Sequence, residues 1–308
     1  ANTCSVVFGD IVLDGNKSSL SETEYAKVCG IRVSQGWPAN IKMGSEDGSI
    51  GYPEVKNFRC DTDSWPVLIT GGTSADYKIY GLEVKDNDCK GEGVVLYQMY
   101  GKIYFGKDVK IQNNTTSSDV LANKYGAGSI CEMIIDGSQI TDNTLTGNQS
   151  AALYLYTAKL TMLSGSISNN TSTGNGYGYG VFVTNSSTFN LNGGSIENNR
   201  FSTYGCGVYF NDSTGVGMNI YDEPDTDEYP HPKVTNNTQG TDNENGNIIY
   251  ATSATPVNVT TQLSRECAFG ITGKTAASAG TVFANNTIGQ DNNGEALRNT
   301  GVFSYDID

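Results

Sequence analysis

The apolar residues of this chain fall in short runs in which every second position is apolar, and polar, glycine-rich turns separate the runs. Residues 178–200 show the arrangement in full. One run covers Val181 and Val183, a second covers Phe189 and Leu191, and a third ends at Ile196. Alternation with a period of two predicts strands that bury one face. Three such strands cannot enclose a core alone, so the unit predicts similar units stacked above and below it.

The third run ends in a tetrad that recurs along the chain: Ile or Val, two further residues, then Asn. The tetrad asparagines are Asn87, Asn114, Asn143, Asn170, Asn199 and Asn237, and they step by 27, 29, 27, 29 and 38 positions. This spacing predicts an all-β fold, a single-stranded right-handed parallel β-helix (a β-solenoid) with about 28 residues per coil. Stacked one coil apart, about 4.8 Å, these asparagines are expected to adopt left-handed backbone geometry and to form a structural ladder of bonded amides.

The other runs recur in the same phase. Leu153, Val181, Val208 and Ile248 are expected to share one column, and Leu160, Phe189, Met218 and Val257 another. The ends of the chain are less regular, and the open end of a solenoid needs a cap over its core and strand edges. We therefore expect one β-helix domain over residues 1–308, with an N-terminal cap and irregular first coil over 1–45, coils over 46–263 and a C-terminal cap over 264–308. Within the first cap, Ser21 to Glu24 predicts a capping box and a short helix bearing Tyr25 and Val28.

Charge and composition narrow the functional classes. The formal charge is −14, from 33 acidic and 19 basic residues, and no basic cluster occurs, so nucleic-acid binding is not expected. No run of 18 apolar residues exists, which argues against membrane insertion of this segment. The chain begins at Ala1 without a basic and apolar leader, and we expect a mature or trimmed segment of an exported, extracellular or cell-surface protein whose signal and anchor lie outside it.

The seven cysteines are an odd number, so at least one has no intramolecular disulfide partner. Cys4, Cys29, Cys60 and Cys89 step by 25, 31 and 29 positions, close to one coil. They are expected to be either buried thiols stacked in one column or disulfides between adjacent coils.

Several segments carry a resemblance to known proteins: GYGVFV…FNLNGGSIENN, GCGVYF, and the tail KVTNN…NGNIIY…VNVTTQL…AFGIT…GTVF. Over about residues 78–305 the chain resembles bacterial cell-surface right-handed parallel β-helix repeat proteins of the pectin-lyase-like superfamily. A second likeness runs to polymorphic outer-membrane proteins, although Ile or Val here replaces the Phe of their Phe-x-x-Asn tetrad. The resemblance implies the fold and a cell-surface setting. It also implies that lyases on this fold use basic residues near bound Ca²⁺ and that hydrolases use grouped Asp with His.

An outward-facing column is the first candidate site. If Val181 and Val183 point inward, the residue between them points out, and the outward series is expected to run through Val95, Tyr154, Phe182, Tyr209 and Ile249. Its aromatic members Tyr154, Phe182 and Tyr209 can either stabilise the sheet surface or form an exposed platform for sugar rings or a partner protein.

The acidic insertion YDEPDTDEYPHP is the second candidate, because the step from Asn199 to Asn237 exceeds its neighbours by about ten residues. Its carboxylates are Asp222, Glu223, Asp225, Asp227 and Glu228, and it contains the only histidine, His231. Clustered carboxylates suit Ca²⁺, which takes six to eight oxygen ligands. The alternatives are a calcium site and a solvated acidic loop, and Ca²⁺ is the one cofactor that the sequence suggests.

No catalytic constellation is apparent. Asp86, Asp88, Asp136 and Asp142 lie near the tetrads, but the sequence offers them no Arg, Lys or His in a corresponding coil, and His231 lies alone between two prolines. No residue is therefore assigned a catalytic role. The expected function is a non-enzymatic surface module for adhesion or for binding a glycan, the host matrix or a host surface protein. The alternatives are a polysaccharide lyase or glycoside hydrolase, and a passive stalk.

Overall fold

The computed structural model describes residues 5–21, 23–33, 40–72, 75–123, 131–211, 216–222, 230–240, 244–250, 257–261, 263–273, 284–286 and 303–307. Within them the chain winds as a solenoid, and each strand pairs in parallel with its equivalents in the coils before and after it. The predicted all-β, parallel β-solenoid fold is confirmed.

Each coil contributes strands to three long columns, named here the first, second and third columns in the order in which residues 177–197 pass through them. The first column contains Cys29–Val33, Trp65–Gly71, Gly93–Met99, Asp119–Asn123, Gln149–Tyr156, Tyr177–Thr184, Tyr204–Phe210 and Ile248–Tyr250. The second contains Ser5–Phe8, Asn40–Met43, Cys131–Ile135, Ala158–Met162, Thr188–Leu191, Gly217–Ile220, Val257–Val259 and Ala284–Asn286. The third contains Val12–Asp14, Glu54–Lys56, Gln139–Thr141, Ser166–Ser168, Ser195–Glu197 and Lys233–Thr235.

Some strands serve two columns. Asp76–Lys85 and Lys102–Gln112 run through the second and the third columns without a break in the strand. Ala268–Gly273 pairs with the third column at Lys233 and with the first column at Ile248, and Phe303–Ile307 pairs with it in turn. A 3₁₀ helix covers Lys17–Ser19.

A separate, short column of two-residue strands follows the tetrads and was not predicted. Its strands are Arg59–Cys60, Asp88–Cys89, Thr115–Thr116, Thr144–Leu145, Thr171–Ser172, Arg200–Phe201 and Thr238–Gln239, with Glu244–Asn245 antiparallel to the last. Two residues are too few to show a period, so alternation in the sequence could not reveal this column.

The core fills the inside of the coils. Leu153, Val181, Val208 and Ile248 pair in one row and are fully buried, as the repeat predicts. Leu160, Phe189 and Met218 form the equivalent row of the second column. The prediction for Val95 is wrong by one residue. Val95 pairs with Val67 and Leu121 and is buried in the inward row, whereas the sequence placed it in the outward row.

The tetrad asparagines form a continuous ladder inside the turn between the third and short columns. From Asn87 to Asn199, each Nδ2 donates to the Oδ1 of the next asparagine at 2.8–3.0 Å, and each backbone N–H donates to the same oxygen at 3.0–3.2 Å. Each Nδ2 also donates to the carbonyl of the apolar tetrad residue one coil earlier, such as Ile140 for Asn170. The six side chains are at most 1% exposed, so hydrogen bonds within the protein replace those that the amide groups would make with water.

The left-handed geometry belongs to the residue before each ladder asparagine, which corrects the prediction. The six residues before the ladder asparagines share φ between 55° and 58°, and Asn57, which precedes Phe58 one coil earlier, has φ of 57°; the six are Asp86, Asn113, Asp142, Asn169, Asn198 and Asn236. Asn and Asp tolerate this backbone region better than other residues with a Cβ. Two adjacent positions in each turn therefore have different roles, one in the backbone geometry and one in the amide ladder.

The N-terminal segment already follows the solenoid. Ser5–Phe8 and Val12–Asp14 pair with strands of the second and third columns, within residues 1–45, which the sequence assigned to a cap and an irregular first coil. The predicted helix is wrong. Glu24 accepts a hydrogen bond from the Ser21 backbone N–H, as in a capping box, but Ala26 then forms a parallel bridge to Cys60.

Cysteines 60 and 89 pair in the short column as buried free thiols, which is the first of the two alternatives. Cys29 lies instead in the first column, half-buried, so the three do not form one stack. Cys4 lies outside the described residues. No helix among the described residues is long and apolar enough to cross a membrane.

Candidate functional site

Aromatic side chains cover the outer face of the first column. Tyr154, Phe182 and Tyr209 pair in one row, with ring centroids 5.2 Å apart for the first two and 5.6 Å for the last two. Tyr179 lies on the same face, 4.9 Å from Phe182 and 4.8 Å from Tyr209. It reaches this face because the alternation shifts by one residue at Gly180, which the sequence pattern did not reveal.

The surrounding rings cover the central one. Phe182 is only 4% exposed, which favours the first of the two alternatives, stabilisation of the sheet surface, over an exposed platform at this residue. Tyr154 and Tyr209 are half-buried and pack around it together with Ala151 and Cys206. The cluster therefore stabilises the sheet surface, and its accessible parts are the edges of the tyrosine rings.

Beside this cluster lies a groove with a volume of about 610 Å³. Its aromatic lining is Tyr154, Tyr156, Tyr179 and Phe182, and its polar lining is Glu92, Asp119, Gln149, Ser150, Thr184 and Asn211. These residues come from the first-column strands of successive coils and the turns beside them. Among the described lining residues none is Lys, Arg or His.

The carboxylate of Asp119 forms part of the groove wall. This side chain is 3% exposed, and its Oδ1 accepts a hydrogen bond from the Ala151 backbone N–H at 2.8 Å. Burial, and then the nearby charge of Asp119, raises the pKa of Tyr154 to about 12. The Tyr154 hydroxyl is therefore neutral near pH 7 and able to donate. Glu92 is exposed at the rim.

The four aspartates considered for catalysis lie in separate places. Asp86 and Asp142 occupy the left-handed position of their turns, where Asn stands in other coils, so their role is in the backbone. Asp88 lies in the short column and pairs with Arg59 of the preceding coil, Nε to Oδ2, at 3.5 Å. The expectation that Asp88 has no cationic partner is therefore wrong.

Asp136 lines a second, smaller cavity of about 360 Å³. Its Oδ2 accepts a hydrogen bond from the Tyr104 hydroxyl at 2.9 Å and its Oδ1 accepts one from Ser164 at 2.8 Å. Burial and this bond raise the pKa of Tyr104. Lys107 lines the same cavity, which again corrects the expectation of no basic neighbour. Both oxygens of Asp136 are engaged, and none of the other three aspartates joins it there.

Only Asp222 of the predicted calcium ligands lies within the described residues; Glu223, Asp225, Asp227 and Glu228 lie outside them. Asp222 follows the strand Gly217–Ile220 and is 2% exposed. His231 Nδ1 lies 2.9 Å from its Oδ1, and the Ser264 backbone N–H and Cys267 Sγ donate to its Oδ2 at 2.6 and 3.3 Å. His231, which the sequence placed alone, therefore belongs to a compact polar cluster. No spacing motif could have revealed it, because its members come from turns of different coils.

No protein-family model, curated protein or solved structure matches this chain. The function must therefore be argued from the geometry of these sites.

Proposed function

We propose that this chain is a non-enzymatic glycan-binding module of an extracellular surface, built on a β-helix of the pectin-lyase-like type. The observation that carries the proposal is the groove on the first column, where the accessible edges of tyrosine rings and six polar side chains line one space. Sugar rings present apolar faces and a rim of hydroxyls. Exposed edges of aromatic side chains can pack against the faces, while amides, hydroxyls and carboxylates bond the hydroxyls.

The charge of the groove indicates the class of glycan. Glu92 and Asp119 contribute carboxylates, and the described lining offers no cation to compensate a uronate or a sulfate. The whole chain carries −14 and would repel a polyanion as it approaches. We therefore propose neutral glycans as ligands, and not pectins, alginates or glycosaminoglycans.

Calorimetric titration with neutral and uronate-containing oligosaccharides tests this proposal. Tyr156→Ala removes a half-buried ring from the groove wall and should weaken binding of neutral oligosaccharides at least tenfold. Tyr204→Ala is the matched control, since that ring is 58% exposed and lies outside the groove lining. Equal losses in both variants, or preferred binding of acidic glycans, would contradict the proposal.

A glycoside hydrolase is the second candidate, and the shared groove of Glu92 and Asp119 favours it over a lyase. Hydrolysis of a glycosidic bond uses two carboxylates, one on each side of that bond, whereas a lyase of the resembled type would need a basic residue there. A reducing-end assay distinguishes a hydrolase from a non-enzymatic binding module. Binding without release of reducing ends supports the binding module. Turnover abolished by Asp119→Asn but kept in Asp142→Asn would identify a hydrolase.

The surface location and a host surface protein as partner belong to the same proposal. The resemblance over about residues 78–305 supports the surface location. Antibody labelling of intact cells of the source organism tests the location. A chain that labels the surface but binds neither glycan nor host protein would instead fit a passive stalk.

A further inference from the structure

Three metal-binding side chains of different chemistry meet near the C-terminal end of the described coils. Asp222, His231 and Cys267 each offer a ligand atom, and these atoms all lie within 4.8 Å of one another. The pairwise contacts are 2.9 Å between His231 Nδ1 and Asp222 Oδ1, and 3.3 Å between Cys267 Sγ and Asp222 Oδ2. A metal ion bound to all three at about 2.0–2.3 Å would need only small side-chain shifts.

The chemistry of the donors selects the metal. Thiolate, imidazole and carboxylate together suit Zn²⁺ and related ions of borderline softness, whereas Ca²⁺ requires a cage of six to eight oxygens. Among the described residues of the cluster, only one is a carboxylate directly bonded to both other donors. The acidic insertion therefore contributes Asp222 and His231 to a ligand set that Cys267 completes, unlike the calcium site expected from the insertion's composition.

The surroundings are those of a supported metal site. Asp222 and Cys267 are each 2% exposed, and the Ser264 backbone N–H fixes Asp222 Oδ2 at 2.6 Å. Glu266 Oε2 lies 3.8 Å from His231 Nε2, on the far side of the imidazole from Asp222. The Glu266 side chain is 72% exposed and would move closer to reach hydrogen-bond distance, from which a carboxylate orients a histidine ligand. The His231 side chain is 27% exposed, so a water molecule can reach the fourth coordination position.

We propose that Asp222, His231 and Cys267 bind one Zn²⁺-class transition-metal ion. Asp Oδ, His Nδ1 and Cys Sγ are the ligands, Glu266 is the orienting partner and a water molecule is the fourth ligand. Binding converts the Cys267 thiol to thiolate, and its proton passes to solvent. The ion would join three turns that the chain reaches far apart: the one after Gly217–Ile220, the one before Lys233–Thr235 and the one before Ala268–Gly273.

Titration of the full chain with Co²⁺, after removal of metals by a chelator, tests this proposal. One equivalent should produce tetrahedral ligand-field bands and a thiolate-to-cobalt charge-transfer band. One equivalent of Zn²⁺ should abolish both bands, and excess Ca²⁺ should leave them unchanged. The thermal midpoint of the chain should rise with Zn²⁺, because the ion binds only the folded form.

Variants locate the site. Cys267→Ser should lose the charge-transfer band, His231→Gln should weaken Co²⁺ binding at least tenfold, and Glu266→Gln should weaken it about tenfold. Cys206→Ser, which removes another buried thiol in the aromatic cluster, should keep the band. Wild-type chain that binds no stoichiometric Co²⁺, or a band that survives in Cys267→Ser, overturns the proposal and leaves a hydrogen-bond network. The wild-type titration decides this even where a variant does not fold.

Discussion

At the scale of single residues, two adjacent positions in the turn after the third column have different roles. The first adopts a left-handed backbone and can be Asn or Asp, while the second is always Asn from Asn87 to Asn237. Only an amide can accept from the coil before and donate to the coil after, because a carboxylate at pH 7 has no proton to donate. The chemistry of the second position therefore explains its invariance within the chain.

Asn170→Ala should destabilise the fold by about 3 kcal/mol, since the change removes several buried hydrogen bonds. The Asn143 backbone N–H loses its acceptor, Asn143 Nδ2 keeps only its bonds to the Ile111 and Thr141 carbonyls, and the Ile140 carbonyl loses a donor. Denaturant unfolding measures the effect. The neighbouring Asn169→Gly, which keeps φ near 57° and lies on the surface, should change stability by less than about 1 kcal/mol. Equal costs at both positions would contradict the ladder.

Tyr154 should make stability depend on alkaline pH. An unfolded tyrosine ionises near pH 10, whereas the folded pKa of Tyr154 is raised to about 12. Between these values the folded state holds the proton that the unfolded state loses, so stability falls as pH rises from about 10 to about 12. The free energy of unfolding, measured by denaturant titration at several pH values in this range, should fall less steeply with pH for Tyr154→Phe than for wild type. Tyr204→Phe, at an exposed ring, should follow wild type.

At the scale of elements, the repeat in the sequence predicted the three long columns and their pairing because each strand has a buried row with period two. The short column was not predicted, because strands of two residues show no period. The position of Tyr179 was not predicted either, because the alternation shifts at Gly180 and places its ring on the same face as Phe182. The cluster of Asp222, His231 and Cys267 was not predicted, because residues that meet between turns of different coils have no characteristic spacing in the sequence.

Glycines allow the short column to pack closely against the first. Gly178 and Gly205 pair, and a Cβ on Gly205 would lie 2.1 Å from the Gly178 carbonyl oxygen and 2.6 Å from the Phe201 side chain. Gly205→Ala should therefore cost about 1–3 kcal/mol in unfolding free energy. Gly217→Ala is the control, because no atom of the described part of the chain lies within 4 Å of the added methyl group. A Gly205→Ala variant as stable as this control would show that the backbone yields there.

At the scale of the whole molecule, the ladder ends on a residue outside the coil spacing. Asn247 lies ten positions after Asn237 and accepts from its backbone N–H at 3.0 Å and from its Nδ2 at 3.2 Å. The antiparallel pair Thr238–Gln239 and Glu244–Asn245 brings it there. At the other end Asn87 accepts from the Phe58 backbone N–H. The C-terminal end of the amide row is thus satisfied by a residue that the 28-residue periodicity does not reveal, whereas Phe58 lies 29 positions before Asn87 and keeps the coil spacing.

Asn247→Ala should loosen only one end of the molecule. Each coil contacts mainly its neighbours, so loss of the terminal acceptor should raise hydrogen exchange around Asn237 and in the paired strand Tyr204–Phe210. Exchange in Ala158–Met162 should match wild type. Mass spectrometry of exchanged peptides measures both regions. Uniformly faster exchange along the chain would indicate a single cooperative unit instead.

The ladder also determines how such a chain can change its length during evolution. Every asparagine makes the same bonds to the coil before and the coil after, so duplicating or deleting one whole coil recreates all of them at the new junction. The step of 38 residues between Asn199 and Asn237 shows the second permitted change. The hydrogen bond between the side-chain amides of these two residues is still 2.8 Å long. Extra residues enter a turn and leave the ladder intact. Gene duplication can therefore lengthen the solenoid in whole coils, while insertions in turns diversify its surface.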